Sequence, residues 1–313
     1  MHLFNITVSG ESPVITWPDV VIFVLCLLMS FLICVVNILT MLVISRTPSL
    51  RSYAMAYVGS LAVVDFLVGL QLIPLALFVL PPTRVNLFDR YISLCLLMNG
   101  LNMGVSSVSI IHMAVIAVDR YLYIAKPYFY EKIMNTRVVI SCVCFAWLLG
   151  LMFMAMPQFV HTSNGNITIC DLTRLIPVWH VMYGVWVLYF TLSAIILLMY
   201  CLILRTAFKK RAAINSVGPV DKSPRETHFH MLSRASVKGL KFFLTLFGVF
   251  FACMTPVVVV MGLDYYVSVP SVLYRFLVLL AFSNSGMNFV IFALQNMAFR
   301  HSLCKMLPCC CCK

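Results

Sequence analysis

Three groups of residues in this chain carry chemistry that ordinary packing does not need. Asp119-Arg120-Tyr121 sets a carboxylate beside a guanidinium, a pair that can bond to itself or be drawn apart by a partner. Asp65 ends an apolar run, Leu61-Ala62-Val63-Val64-Asp65, where a charge needs interior partners or an oxygen-ligated cation. Cys309-Cys310-Cys311-Cys312 closes the chain just before Lys313. No His/Glu or Cys/His constellation accompanies these groups, and the isolated His112 and His180 read as packing or interface residues. Catalytic residues are therefore not expected, and the chain does not read as an enzyme.

The elements that must position these residues are membrane helices. Hydrophobic residues make up 62% of the chain and charged residues 10%, with a mean hydropathy of +1.01. A soluble domain carries about 25% charged residues, so water is not the main solvent. Seven apolar spans stand out: Val20–Ile44, Ala54–Leu80, Leu94–Val118, Val138–Phe159, Val178–Leu204, Phe242–Leu263 and Val272–Leu294. Each has the roughly 20 residues that a helix needs to cross the hydrocarbon core, and the short alternating segments of a barrel are missing. The expected fold is an all-α membrane protein, a seven-transmembrane helix bundle. Cys95 lies 25 residues before Arg120 on the third span. At about 1.5 Å per residue that is roughly 37 Å, so one helix carries a thiol at one face and the acid–base pair at the other.

Residues 1–19 contain no Lys or Arg. With that tail outside, the outer segments hold only Arg84, Arg90, Arg174 and Arg275, and the inner ones hold the other 18 of 22 basic residues. This bias predicts an extracellular N-terminus and a cytoplasmic C-terminus at the plasma membrane. The net charge of +12 then reflects topology and attraction to membrane lipids, not nucleic acid. Sequons at Asn5 and Asn166 fall on the predicted outside, as glycosylation requires. No cleavable signal peptide is visible in the tail, and span one is expected to act as an uncleaved anchor. The organisation is an extracellular tail (1–19), the seven-span domain (20–294, with a flexible cytoplasmic loop at about 206–241), and an amphipathic helix with a Cys-rich tail (295–313). No internal repeat is apparent, which weakens a transporter reading.

The cysteines divide by place. Cys26, Cys34, Cys142, Cys144, Cys201 and Cys253 lie within spans and read as small apolar packing residues. Cys95 and Cys170 are the two on the oxidising side and form the natural disulfide. Cys309, Cys310, Cys311 and Cys312 follow an amphipathic helix at the inner leaflet, the setting for palmitoylation. A four-thiolate zinc site is the rival, although consecutive cysteines do not readily wrap one ion.

Further residues recur in a telling order. Asn37 lies in span one, Trp147 and Pro157 in span four, and Tyr200 in span five. Span six reads Phe250-Phe251-Ala252-Cys253-Met254-Thr255-Pro256, and span seven reads Asn288-Phe289-Val290-Ile291-Phe292. Pro127 and Tyr130 follow span three, and Phe299 follows span seven. Together with Asp65, Cys95 and Asp119-Arg120-Tyr121, this order resembles the rhodopsin-like (class A) G protein-coupled receptors across essentially the whole chain. A weaker likeness, from Asp119 to Met134, is to lipid-amide-sensing receptors related to the adenosine and cannabinoid groups.

The resemblance implies coupling to a heterotrimeric G protein through Asp119, Arg120, Tyr121, Pro127, Tyr128, Tyr200, Lys238 and Lys241. Arg120 would pair with Asp119 in the closed bundle and reach toward the G protein when span six swings out; on its own it reads as a snorkelling interfacial arginine. The implied ligand pocket is Asn102, Met103, Ser106, Gly184, Val185, Leu188, Met254, Val257, Val258, Met261, Tyr274, Val278 and Phe282. Amine receptors have an aspartate where Asn102 stands, so the expected ligand is a lipid or neutral small molecule, not a biogenic amine. The competing reading is a packed core with no natural ligand. Asp65, Ser109, Asn284 and Asn288, beside Asn37 and Ser285, imply an allosteric Na⁺ site and no other cofactor. The plainer reading is a protonated Asp65 in a structural hydrogen-bond network.

Departures from the family pattern predict altered switching. Ser236 stands where an acid often restrains the span-three arginine, which predicts raised basal activity. Met254 replaces an aromatic toggle, Leu192 and Phe289 replace prolines, and Phe292 replaces a tyrosine. Retained Ile110 and Phe250 can still form the packing switch. The alternative function is a receptor-fold protein without a conventional ligand, acting by constitutive signalling or by pairing with another receptor.

Overall fold

The computed structural model describes residues 14–161, 169–216 and 224–306, with side chains described outside 210–240. Asn5, Asn166 and Cys309–Cys312 lie outside the described residues, as do the side chains of Ser236 and Lys238.

Among the described residues, seven helices are long and apolar enough to cross a membrane. They are α1 (Trp17–Arg46), α2 (Tyr53–Val79), α3 (Ile92–Ala125), α4 (Thr136–Val160), α5 (Val187–Ser216), α6 (Pro224–Leu263) and α7 (Ser271–Gln295), followed by a short α8 (Met297–Met306). Local sequence sets several of the ends. Ser52 caps α2 by accepting from Met55 N at 3.3 Å, and Asn135 caps α4 by accepting from Val138 N at 3.1 Å. Asn296 breaks the helix after α7, and its Oδ1 accepts from Phe299 N at 3.0 Å to start α8.

Two expectations change. The polar stretch 206–241 is not chiefly a loop, because α5 runs on to Ser216 and α6 begins at Pro224. Arg205 to Ala213 is rich in Arg, Lys and Ala, which favour helix whether or not they are apolar. Pro224 then suits the first helical position with its fixed φ. The second change is at the start of α5, which is entered through a π-helical turn, His180–Trp186. Leu192 and Phe289, standing where prolines were expected, lie within uninterrupted helix.

The bundle is organised around α3, which packs on α2, α4, α5 and α6. Of its most apolar window 67% is buried, against 17% for α4, whose outer face is left to lipid. Small residues allow α3 and α4 to approach closely: a Cβ on Gly104 would stand 2.8 Å from the Gly150 carbonyl. A polar hub pins the same helices together. Trp147 Nε1 on α4 donates to Ser60 Oγ on α2 at 3.0 Å, and Ser60 bonds His112 Nε2 on α3 at 2.9 Å. His112 is therefore a three-helix tie, its Nδ1 lying 2.9 Å from the Val108 carbonyl.

Candidate functional site

At one end of α3, Cys95 is joined to Cys170 by a disulfide. The segment around Cys170 is held from several sides. Its backbone N donates to Asp89 Oδ1 at 2.6 Å, and Arg84 Nε lies 3.7 Å from the same oxygen. Burial pushes the Arg84 guanidinium below its ordinary pKa, while Asp89 and Asp171 act the other way. Tyr265, after α6, donates to the Ile176 carbonyl at 2.8 Å, and burial raises its phenol so that it stays a donor. Arg275 Nη1 on α7 meets Asp19 Oδ1 on α1 at 2.7 Å, closing the ring of helices at this end. Asp19 was expected in the tail; it belongs to the first turn of α1.

Beneath this cover is a cavity of about 140 Å³ between α3, α5, α6 and α7. Asn102, Met103, Ser106, Val185, Leu188, Met254, Val257, Val258, Met261, Tyr274, Val278 and Phe282 all line it. Gly184 does not: a Cβ there would lie 3.5 Å from the His180 ring. The π turn is the physical reason, since one extra residue per turn rotates the positions that regular α spacing assigns to the cavity. Tyr189, Leu172, Asn99 and Ser285 also line it and were not anticipated. Asn99 was legible, lying three residues before Asn102 on the same helical face. Leu172 was not, because it arrives on the disulfide-tethered segment. Trp186 Nε1 donates to the Val258 carbonyl at 2.6 Å, and Tyr189 Oη bonds Thr255 Oγ1 at 2.8 Å. These bonds tie α5 to α6 beside Pro256.

The floor of the cavity reaches Ser109, Asn284 and Ser285. Asp65 is buried just beyond and accepts from Asn288 Nδ2 at 2.7 Å. Asn37 Nδ2 donates to the Ser285 carbonyl at 3.1 Å. Asp65 Oδ1, Asn284 Oδ1 and Asn288 Oδ1 are buried acceptors without a close hydrogen bond among the described residues, and the Ser285 side chain lies near the Asp65 carboxyl. A carboxylate with amide and hydroxyl oxygens is the donor set a hard cation prefers, so these residues fit sodium. Ser109 Oγ donates to the Val105 carbonyl at 3.0 Å, which leaves its lone pairs for a cation.

At the other end of α3, Arg120 Nε donates to Asp119 Oδ2 at 2.8 Å, and Nη2 bonds the same oxygen. Tyr130, on the short helix Pro127–Ile133, donates to Asp119 Oδ1 at 3.0 Å. Burial, reinforced by the Asp119 charge, pushes the Tyr130 phenol well above its ordinary pKa and keeps the donor protonated. The Arg120 guanidinium lies 5.0 Å from the Tyr123 ring centroid and 5.5 Å from that of Phe243 on α6. Phe243 was missed: within an apolar span, a phenylalanine gives no sign that it faces a charge. Phe242, Phe292 and Phe299 form a continuous aromatic stack across α6, α7 and α8, with centroids 5.0 and 5.5 Å apart. Tyr200 is buried near Phe247, Tyr121 packs at the edge of this core, and Lys241 and Tyr128 are exposed. Tyr128, 89% exposed, projects beside Pro127.

Residues 36–292 match the seven-transmembrane receptor (rhodopsin family) pattern. The chain belongs to the rhodopsin-like receptors. Among similar proteins, the adenosine receptor A3 of Ovis aries is 24% identical over 307 residues, covering 96% of this chain and 93% of that receptor. The same receptor of Bos taurus is 25% identical over 283 residues, with 88% and 85% covered. The 5-hydroxytryptamine receptor 6 of Rattus norvegicus is 28% identical over 296 residues, covering 85% of this chain and 66% of that receptor. The protein is thus a multi-pass plasma-membrane receptor that signals through G proteins, and its family is not one of enzymes. Receptors of this family generally carry no cofactor. Among the described residues no three His, Cys, Asp or Glu side chains group as a metal site.

Proposed function

We propose that this receptor responds to a lipid or neutral small molecule entering at the Cys95–Cys170 end, which faces outward, and engages its G protein at the Arg120 end. The observation that carries this reading is the cavity lining, which is mostly apolar and, among the described residues, contains no Asp or Glu. A buried ammonium would have no counter-charge there. That disfavours an amine despite the serotonin-named relative, while the adenosine-named relatives are compatible with a neutral ligand. The N-terminus is extracellular and the C-terminus cytoplasmic in this reading, supported by the skewed distribution of basic residues. Asn5 and Asn166 are then glycosylation sites, and Cys309, Cys310, Cys311 and Cys312 are acylated.

Basal activity is raised but not unrestrained. With Ser236 in place of an acid, the described contact of α6 with Arg120 is the face of Phe243. A cation–π contact contributes about 0.5–2 kcal/mol, whereas breaking a buried ion pair costs about 3–5 kcal/mol. A second reading, constitutive signalling without a conventional ligand, alone or paired with another receptor, draws on this same light restraint. A G-protein nucleotide-exchange panel, run first without ligand and then with a lipid and small-molecule library, separates the two. The first reading expects a library response. Basal exchange no higher than that of an Arg120→Ala control would sink the claim of raised basal activity.

Sodium at Asp65 is the allosteric ion in this proposal, held by Ser109, Asn284 and Asn288 and favouring the inactive bundle. Melting of the purified receptor in sodium against choline chloride tests it; equal melting temperatures would refute it.

A further inference from the structure

A second cavity, about 100 Å³, lies between α1, α2, α3 and α7. It adjoins the first: Asn99, Asn102, Leu172, Tyr274 and Val278 line both and form a shared waist. Beyond the waist both chambers have apolar walls, Met103, Val257 and Met261 on one side and Cys26, Leu75 and Leu279 on the other, and the first turns polar at its floor of Ser109 and Asn284. The waist itself is polar. Asn99 Nδ2 is committed to the Cys95 carbonyl at 3.0 Å. Neither the Asn102 amide nor the Tyr274 hydroxyl makes a hydrogen bond to the described residues. Arg275, the one charged side chain on the lining of either chamber among the described residues, is held by Asp19.

We infer that the ligand is a two-armed neutral amphiphile, with one donor–acceptor group such as a secondary amide at the waist and an apolar arm in each chamber. This rests on reading the cavity as the ligand site and narrows the ligand's shape and chemistry. An amide carries both a donor and an acceptor, the complement of a side-chain amide and a phenol that lack protein partners. A polar group at one end of a single chain would leave a second apolar chamber without a complement. A charged head would compete with Asp19 for Arg275 or be buried unpaired.

The test compares N-hexyldodecanamide, which has alkyl arms on both sides of the amide, with dodecanamide, which has one. Binding to the purified full-length receptor is read as the probe concentration that half-saturates the rise in melting temperature. The two-armed probe is expected to bind about tenfold or more tightly, because several additional CH₂ groups leave water. Cys26→Phe, which fills only the second chamber, should reduce that advantage to near unity. Asn102→Leu should weaken both probes alike. Equal affinity of the two probes for the wild-type receptor overturns the inference, and this comparison requires no variant to fold. An advantage that survives Cys26→Phe, in protein melting like the wild type, also overturns it. If dodecanamide binds and the second arm adds nothing, the two-armed shape fails while the amphiphile site stands. If neither probe binds, the reading of the cavity as an amphiphile site fails with it.

Discussion

The two ends of α3 handle polarity in opposite ways. At the Arg120 end the charges are committed: Asp119 receives Arg120 and Tyr130, and aromatic rings from α3 and α6 flank the guanidinium. Toward the other end, the cavity and the site just beyond it retain polar atoms with no hydrogen bond to the described residues, from Asn102 and Tyr274 down to Asp65 Oδ1 and Asn284 Oδ1. An end whose bonds are all internal changes only when a partner replaces them. An end with uncommitted groups gains bonds as soon as something of the right shape arrives. A switch needs both, because a ligand can shift the equilibrium only through contacts that differ between the two states.

The largest expected effect breaks the cavity end. Cys170→Ser removes a cross-link that spans 75 residues of sequence. Stability should fall by about 2–5 kcal/mol, read as a lower melting temperature and sharply reduced surface expression. Next, Asp65→Asn should abolish a sodium-dependent stabilisation on the order of 1–2 kcal/mol, seen as melting curves that coincide in sodium and choline. The other end is sharpened by smaller changes. Phe243→Leu keeps an apolar side chain but removes the ring from Arg120, so basal nucleotide exchange should rise about two- to fivefold, as expected for losing about 0.5–1 kcal/mol of restraint. An unchanged rate would mean that α6 does not restrain Arg120 through this ring. Tyr130→Phe deletes one hydrogen bond to Asp119, whose other bonds remain. A rise in basal exchange of about twofold is expected, at the low end of what one hydrogen bond contributes.

The sequence made one kind of information legible and hid another. Hydropathy located the spans because each helix meets lipid on its own, and lipid imposes length and composition locally. Regular spacing along α3, α6 and α7 brought most of the expected cavity residues to one place. It failed at Gly184, where a π turn leaves no mark in composition. Phe243 was invisible for a different reason, since its role is set by Arg120 on another helix. The pairing of Asp19 with Arg275 also had no local sign, because its partners are 256 residues apart. The stretch 206–241 misled because its polarity was read as lack of structure, although its first part contains good helix formers.

That Asp19–Arg275 contact also bears on how the chain is built. The acid stands on the first of the seven helices, and its base stands on the seventh. Throughout the elongation between them the ring of helices lacks its closing clasp. Assembly at that rim therefore waits for the seventh helix, and a chain truncated before residue 275 can never complete it.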